Sequence, residues 1–232
     1  MVISVTDINI SESSINEFFH NTEISVLELC NQAELDVVRS SFLNEADEGE
    51  EEKSSSKFAT FISSIKLKIE ELARKVTDII NKRMAKIAGS KLLKSIHKLN
   101  KKNIDKFIKE KKKDEPYYAT TDKFDSPKYN DCNTVDDYFK ASKSTVGEYV
   151  GGISTVILML TTETIFFDKN ITNLKKEALK QVKSNEKNKT ISKDEAIKQI
   201  KRIMNWYTAQ IKGCVHNVKV LNNIITEYSK SI

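Results

Sequence analysis

Residues 192–230, SKDEAIKQIKRIMNWYTAQIKGCVHNVKVLNNIITEYSK, decide the fold class. Ile197, Ile200, Met204, Tyr207, Ile211, Cys214, Val218, Leu221, Ile225 and Tyr228 follow one another at intervals of three and four. That alternation lines apolar side chains along one side of a helix. Ser192 and Glu195 stand at the spacing of a capping box, which satisfies the free N–H groups of a helix start. A helix over 192–230 is about 58 Å long at 1.5 Å per residue. A compact enzyme core has no need of such length, so the segment reads as a stave of a bundle or coiled coil.

The same signal recurs upstream. Phe58, Ile62, Ile65, Ile69, Leu72, Val76 and Ile79 alternate by four and three, which predicts a second long amphipathic helix. With only 6 Gly and 2 Pro in 232 residues, the chain lacks the turn residues of an all-β fold. The expectation is an all-α protein: an elongated helical bundle with long, heptad-patterned, coiled-coil-like helices.

Charge and turn signals divide the chain further. Residues 1–44 form an acidic helical segment, opened by a capping box at Ser14 and Glu17. Residues 45–57, EADEGEEEKSSSK, are nearly devoid of apolar side chains and predict a mobile linker. Residues 58–110 form a basic helical rod, with Gly89 marking a kink or break. Residues 111–133 carry both prolines and lack helical period, predicting an irregular connection that is functional, mobile or packed by its own aromatics. Residues 134–232 complete the bundle, beginning with a helix from Thr134 that is buried on more than one side.

No constellation of catalytic residues stands out, and the chain reads as a non-enzyme with no cofactor, metal or small-molecule substrate. His20, His97 and His216 are the three histidines. Cys214 and His216 are two apart and point to different sides of a helix, with no second pair to complete a metal site. Gly147, Gly151 and Gly152 lack the preceding strand of a phosphate-cradling loop and read as close-packing positions. Trp206 beside Tyr207 reads as a packing element. The acid pairs Glu70–Glu71, Asp136–Asp137 and Asp194–Glu195 read as first-turn or surface carboxylates. Cys30, Cys132 and Cys214 are too scattered for a disulfide framework, which points to a reducing cytosol. The N-terminus does not read as a signal peptide. The most apolar stretch, Ile153 to Leu160, is too short to span a membrane.

The net charge of +5 averages two regions of opposite sign. Residues 1–52 hold 13 acidic residues and one basic residue, whereas residues 53–232 hold 20 acidic and 37 basic. Only Arg39, Arg74, Arg83 and Arg202 are arginines. Lysine is a flexible point charge without the bidentate fork that reads base edges, so the composition favours diffuse attraction to a polyanion. An AT-rich coding sequence enriches Lys, Asn and Ile as well.

At the change of sign, Phe42-Leu-Asn-Glu45-Ala46 resembles the cleavage pattern of the maturation proteases of large tailed bacteriophages: aliphatic residue, any residue, Glu, then a small residue. The surrounding layout is similar to that of the internal head proteins of those phages, an acidic leader before the cut and a basic helical body after it. The resemblance covers these five residues and the overall organisation. It implies a structural or assembly protein of a phage-like virion, assembled in the bacterial cytoplasm and lying inside the capsid. Leu43 and Glu45 would be the recognition positions and Ala46 the new N-terminus. The implied partners are capsid or other virion proteins and DNA. Removing residues 1–45 takes away eight acids and Arg39, so the net charge would move from +5 to +12.

The lysines expected to meet a polyanion without sequence preference are those off the apolar seam of the basic rod: Lys66, Lys68, Lys75, Lys82, Lys91, Lys94, Lys98 and Lys101. Self-association through the heptad helices is a further expectation. Two other classes fit the sequence. One is a membrane-active helical toxin or effector that unmasks the segment Val150 to Leu160; the other is a cytosolic coiled-coil adaptor.

Overall fold

A computed structural model of the chain describes residues 12–45, 51–88, 101–150 and 165–231. Among them are six α-helices: α1 (Glu12–Glu45), α2 (Glu51–Ala88), α3 (Lys101–Phe107), α4 (Val135–Ser142), α5 (Ile165–Lys187) and α6 (Lys193–Lys230). A two-stranded antiparallel sheet, β1 (Pro116–Tyr118) and β2 (Lys143–Thr145), pairs Tyr117 with Ser144. The protein is all-α.

The heptad runs form the two longest helices, and both seams are filled within one chain. On α2, Ile62, Ile65, Ile69, Leu72 and Val76 are buried. On α6, Ile200, Met204, Tyr207, Ile211, Leu221 and Ile225 are buried. The long helices close a ring in which α1 packs on α6 and α2, and α5 packs on the same two helices. Because α4 and β1 also lie against α6, that helix is enclosed; every residue from Trp206 to Val215 is buried. Its run from Ile203 to Ile211 holds no charged residue, as suits a helix that meets protein on all sides. Ser192 caps it, its hydroxyl accepting the Glu195 N–H at 3.2 Å. A second, smaller core gathers Ile104, Phe107 and Ile108 around Val220, Leu221, Ile224 and Tyr228 at the far end of α6.

Three local expectations are corrected. First, α2 begins at Glu51, so much of the segment expected to be a mobile linker over 45–57 is helical; acids in a first turn are favoured by the helix dipole. Second, α1 is already helical at Glu12, two residues before the start expected at Ser14. Third, the helix from Thr134 ends at Ser142. Residues 143–145 turn extended to pair with β1, and the Tyr118 backbone of β1 is itself held at both N–H and C=O by the Asn217 amide of α6, at 2.8 and 2.7 Å. Thr134 and Asp137 form the capping box of this short helix, which is the task of one of the paired carboxylates.

The connection 111–133 is packed by its own aromatics. Phe124 meets Trp206 edge to face, Tyr129 lies against Tyr138, and Tyr118 lies against Phe139. Arg202 of α6 pins it, donating to the carbonyls of Cys132 at 2.9 Å, Tyr129 at 3.1 Å and Asn130, while stacking over Phe124. Gln210 accepts the Thr121 N–H at 2.6 Å. Gly213 lets this segment approach, since a Cβ there would stand 3.1 Å from Thr120 Cγ2. Gly147 is a close-approach position too, but against the backbone turn at Lys113 and not another helix. Gly151, Gly152 and the stretch Ile153 to Leu160 lie outside the described residues.

Candidate functional site

The acid of the N-terminal segment and the base of the body meet at the face where α1 packs on α6 and α2. Glu23 joins two residues one helical turn apart on α6: Lys219 Nζ donates to Oε2 at 2.6 Å and His216 Nδ1 to Oε1 at 3.2 Å. Eleven residues further along α1, Glu34 accepts from Lys212 Nζ at 2.8 Å, and the same ammonium donates to Asn31 Oδ1 at 2.9 Å. As α1 runs from 23 to 34, its partners on α6 run from 219 back to 212, so the two helices are antiparallel. Asp36 accepts from Lys68 of α2 at 2.6 Å. Alongside these ion pairs, α1 buries Val26, Cys30 and Val37 in the main core.

The environment tunes these groups. The hydrogen bond from His216, and beyond it that from Lys219, outweigh the burial that opposes them and hold the Glu23 carboxyl down at about 2. Asp36 is lowered chiefly by its hydrogen bond from Lys68. Burial pushes the Cys30 thiol up to about 12 and Cys214 up to about 11. Both thiols therefore stay protonated and behave as apolar core groups.

The lysines expected to face a polyanion are dispersed by this arrangement. Lys68 is tied to Asp36, Lys66 to Glu186 of α5 at 2.6 Å, and Lys75 to Glu71 of its own helix at 2.8 Å. Lys82 is exposed. Lys101 opens α3, while Lys91, Lys94 and Lys98 lie outside the described residues. Leu43 and Glu45 sit in the last turn of α1, and Ala46 lies outside the described residues. The sequence reading did not single out Lys212, Arg202, Gln210 or Asn217, the polar residues of α6 that hold its neighbours. The charge-free run before Lys212 was the available signal.

A cavity of about 340 Å³ opens between the irregular segment after β1 and the helices α5 and α6, lined by Thr120, Thr121, Asp122, Asn170, Leu174 and Cys214. Among the described residues no group of three or more His, Cys, Asp or Glu is placed to hold a metal ion. No helix among them is long and apolar enough to cross a membrane.

Comparison with protein-family models, with curated proteins and with solved structures finds no match to this chain.

Proposed function

We propose that the chain is a non-enzymatic structural or assembly protein of a phage-like virion, lying inside the capsid and contacting nucleic acid through lysine-rich helical surface. The observation that carries this reading is the docking of the acidic helix on the basic body, with Glu23, Glu34 and Asp36 neutralising Lys219, Lys212 and Lys68. Each pair consumes one acid and one lysine at an internal interface, and the many remaining lysines of the body carry its positive excess. The long bundle with its enclosed central helix suits a rigid packing element more than a catalytic cleft.

The test is mass spectrometry of purified particles from cells that express the chain in its native context. Recovery of the chain from nuclease-treated, intact particles supports the reading, and the N-terminal peptide then shows whether processing after Glu45 occurs. Its absence from particles, with the chain abundant in the remaining lysate, refutes it.

A further inference from the structure

We infer that the outward face of α5 is the polyanion-binding surface of this protein, and that its occupant is the phosphate backbone of double-stranded nucleic acid, bound without sequence preference. This inference rests on the nucleic-acid part of the proposed function and moves the contact away from the α2 lysines. Lys169, Lys176, Lys180, Lys183 and Lys187 are all exposed. Their intervals of seven, four, three and four place them within about 40° of one line along the helix at 3.6 residues per turn, and that line is about 27 Å long at 1.5 Å per residue. The buried residues of α5, Phe167, Ile171, Leu174, Ala178 and Val182, occupy the opposite side.

Among the acids of α5, Glu177 touches this line, at Lys180. Glu186 reaches across to Lys66 of α2 at 2.6 Å. Glu177 takes Gln181 Nε2 at 2.8 Å, with Lys180 at 3.4 Å while the Lys180 side chain stays 73% exposed. On α2, by contrast, Lys66, Lys68 and Lys75 are spent on carboxylates. A straight row of ammonium groups on a rigid helix matches a row of phosphates, of which about 16 lie along 27 Å of duplex. Because lysine lacks the guanidinium fork, the contact carries charge and no base readout.

The experiment measures binding of the full-length chain to a short fluorescein-labelled DNA duplex of arbitrary sequence, by anisotropy, across a salt series. Five phosphate contacts predict a slope of log affinity against log salt of roughly −4 to −5, or a loss of several hundredfold between 50 and 200 mM salt. Replacing Lys176, Lys180, Lys183 and Lys187 by Gln should flatten that slope by about one for each lysine, with an unchanged circular dichroism spectrum. Replacing Lys75 and Lys82 by Gln should leave the slope nearly as it was. If the wild-type chain binds but the α5 variant binds equally well with the same slope, this inference is wrong and the nucleic-acid reading survives. If the wild-type chain ignores the duplex even at low salt, both fail. Binding of the full-length chain to phosphatidylserine vesicles that is lost in the α5 variant, with no duplex binding, would likewise overturn the choice of occupant.

Discussion

Lys212 shows how one residue can set the register of two helices. Its side chain is 7% exposed, and an ammonium so far from water is tolerable only while Asn31 and Glu34 accept from it. Glu34→Gln should therefore destabilise the fold by about 3 kcal/mol, the low end of the penalty for breaking a buried pair. Lys212→Met should cost less, because it removes the charge along with the need for a partner. Urea denaturation of both variants checks the order. Glu23 makes a pH-dependent counterpart. A carboxyl whose folded pKa is lowered contributes stability above its unfolded value, near 4.5, and loses it as pH falls through the folded value near 2. Stability should decline between about pH 4.5 and pH 2, and Glu23→Gln should be less stable at neutral pH with a flatter decline in that window. An equally steep acid decline in the variant would assign the effect to other carboxylates.

At the scale of elements, α6 organises everything else. Ile200 and Ile211 are fully buried and Leu72 of α2 is 3% exposed, so truncating any one of them to Ala should cost roughly 2–5 kcal/mol. Leu67, 66% exposed on the same helix as Leu72, should tolerate Ala within about 0.5 kcal/mol. Thermal denaturation of the four variants makes the comparison. The period of the sequence located the seams of α2 and α6, since alternation by three and four depends only on helix geometry. It did not reveal that α6 is covered on its other sides, because the polar residues doing this, Gln210 and Asn217, look like surface residues until the backbone they bind is in place. The strand pair was equally hidden. Three residues are too few for a period, and Lys143 to Thr145 become extended only because β1 is anchored on α6.

On the scale of the whole molecule, the acidic segment is a stave of the bundle. A cut after Glu45 would sever the connection to α2 yet leave the buried Val26, Cys30 and Val37 and the ion pairs to Lys212, Lys219 and Lys68 intact. The 1–45 fragment should therefore stay bound to the body after such a cut and co-elute with it in gel filtration at neutral pH. It should separate on acidification as Glu23 approaches its low pKa. A fragment that falls away at neutral pH would show α1 to be a weakly held leader. Loss of α1 would do more than raise the net charge to +12, since it would also uncover apolar surface on α2 and α6.

Three properties were determined by the sequence alone: the all-α class, the two heptad helices and the separation of acid from base along the chain. Each is local, written in spacing or composition. Tertiary structure alone decided which charges are spent and which remain. Lys66, Lys68 and Lys212 look no different in sequence from Lys176, Lys183 and Lys187. Whether an ammonium meets a carboxylate or solvent depends on which helix face it occupies and what packs there, because Coulomb attraction at contact is set by distances between residues far apart in the chain.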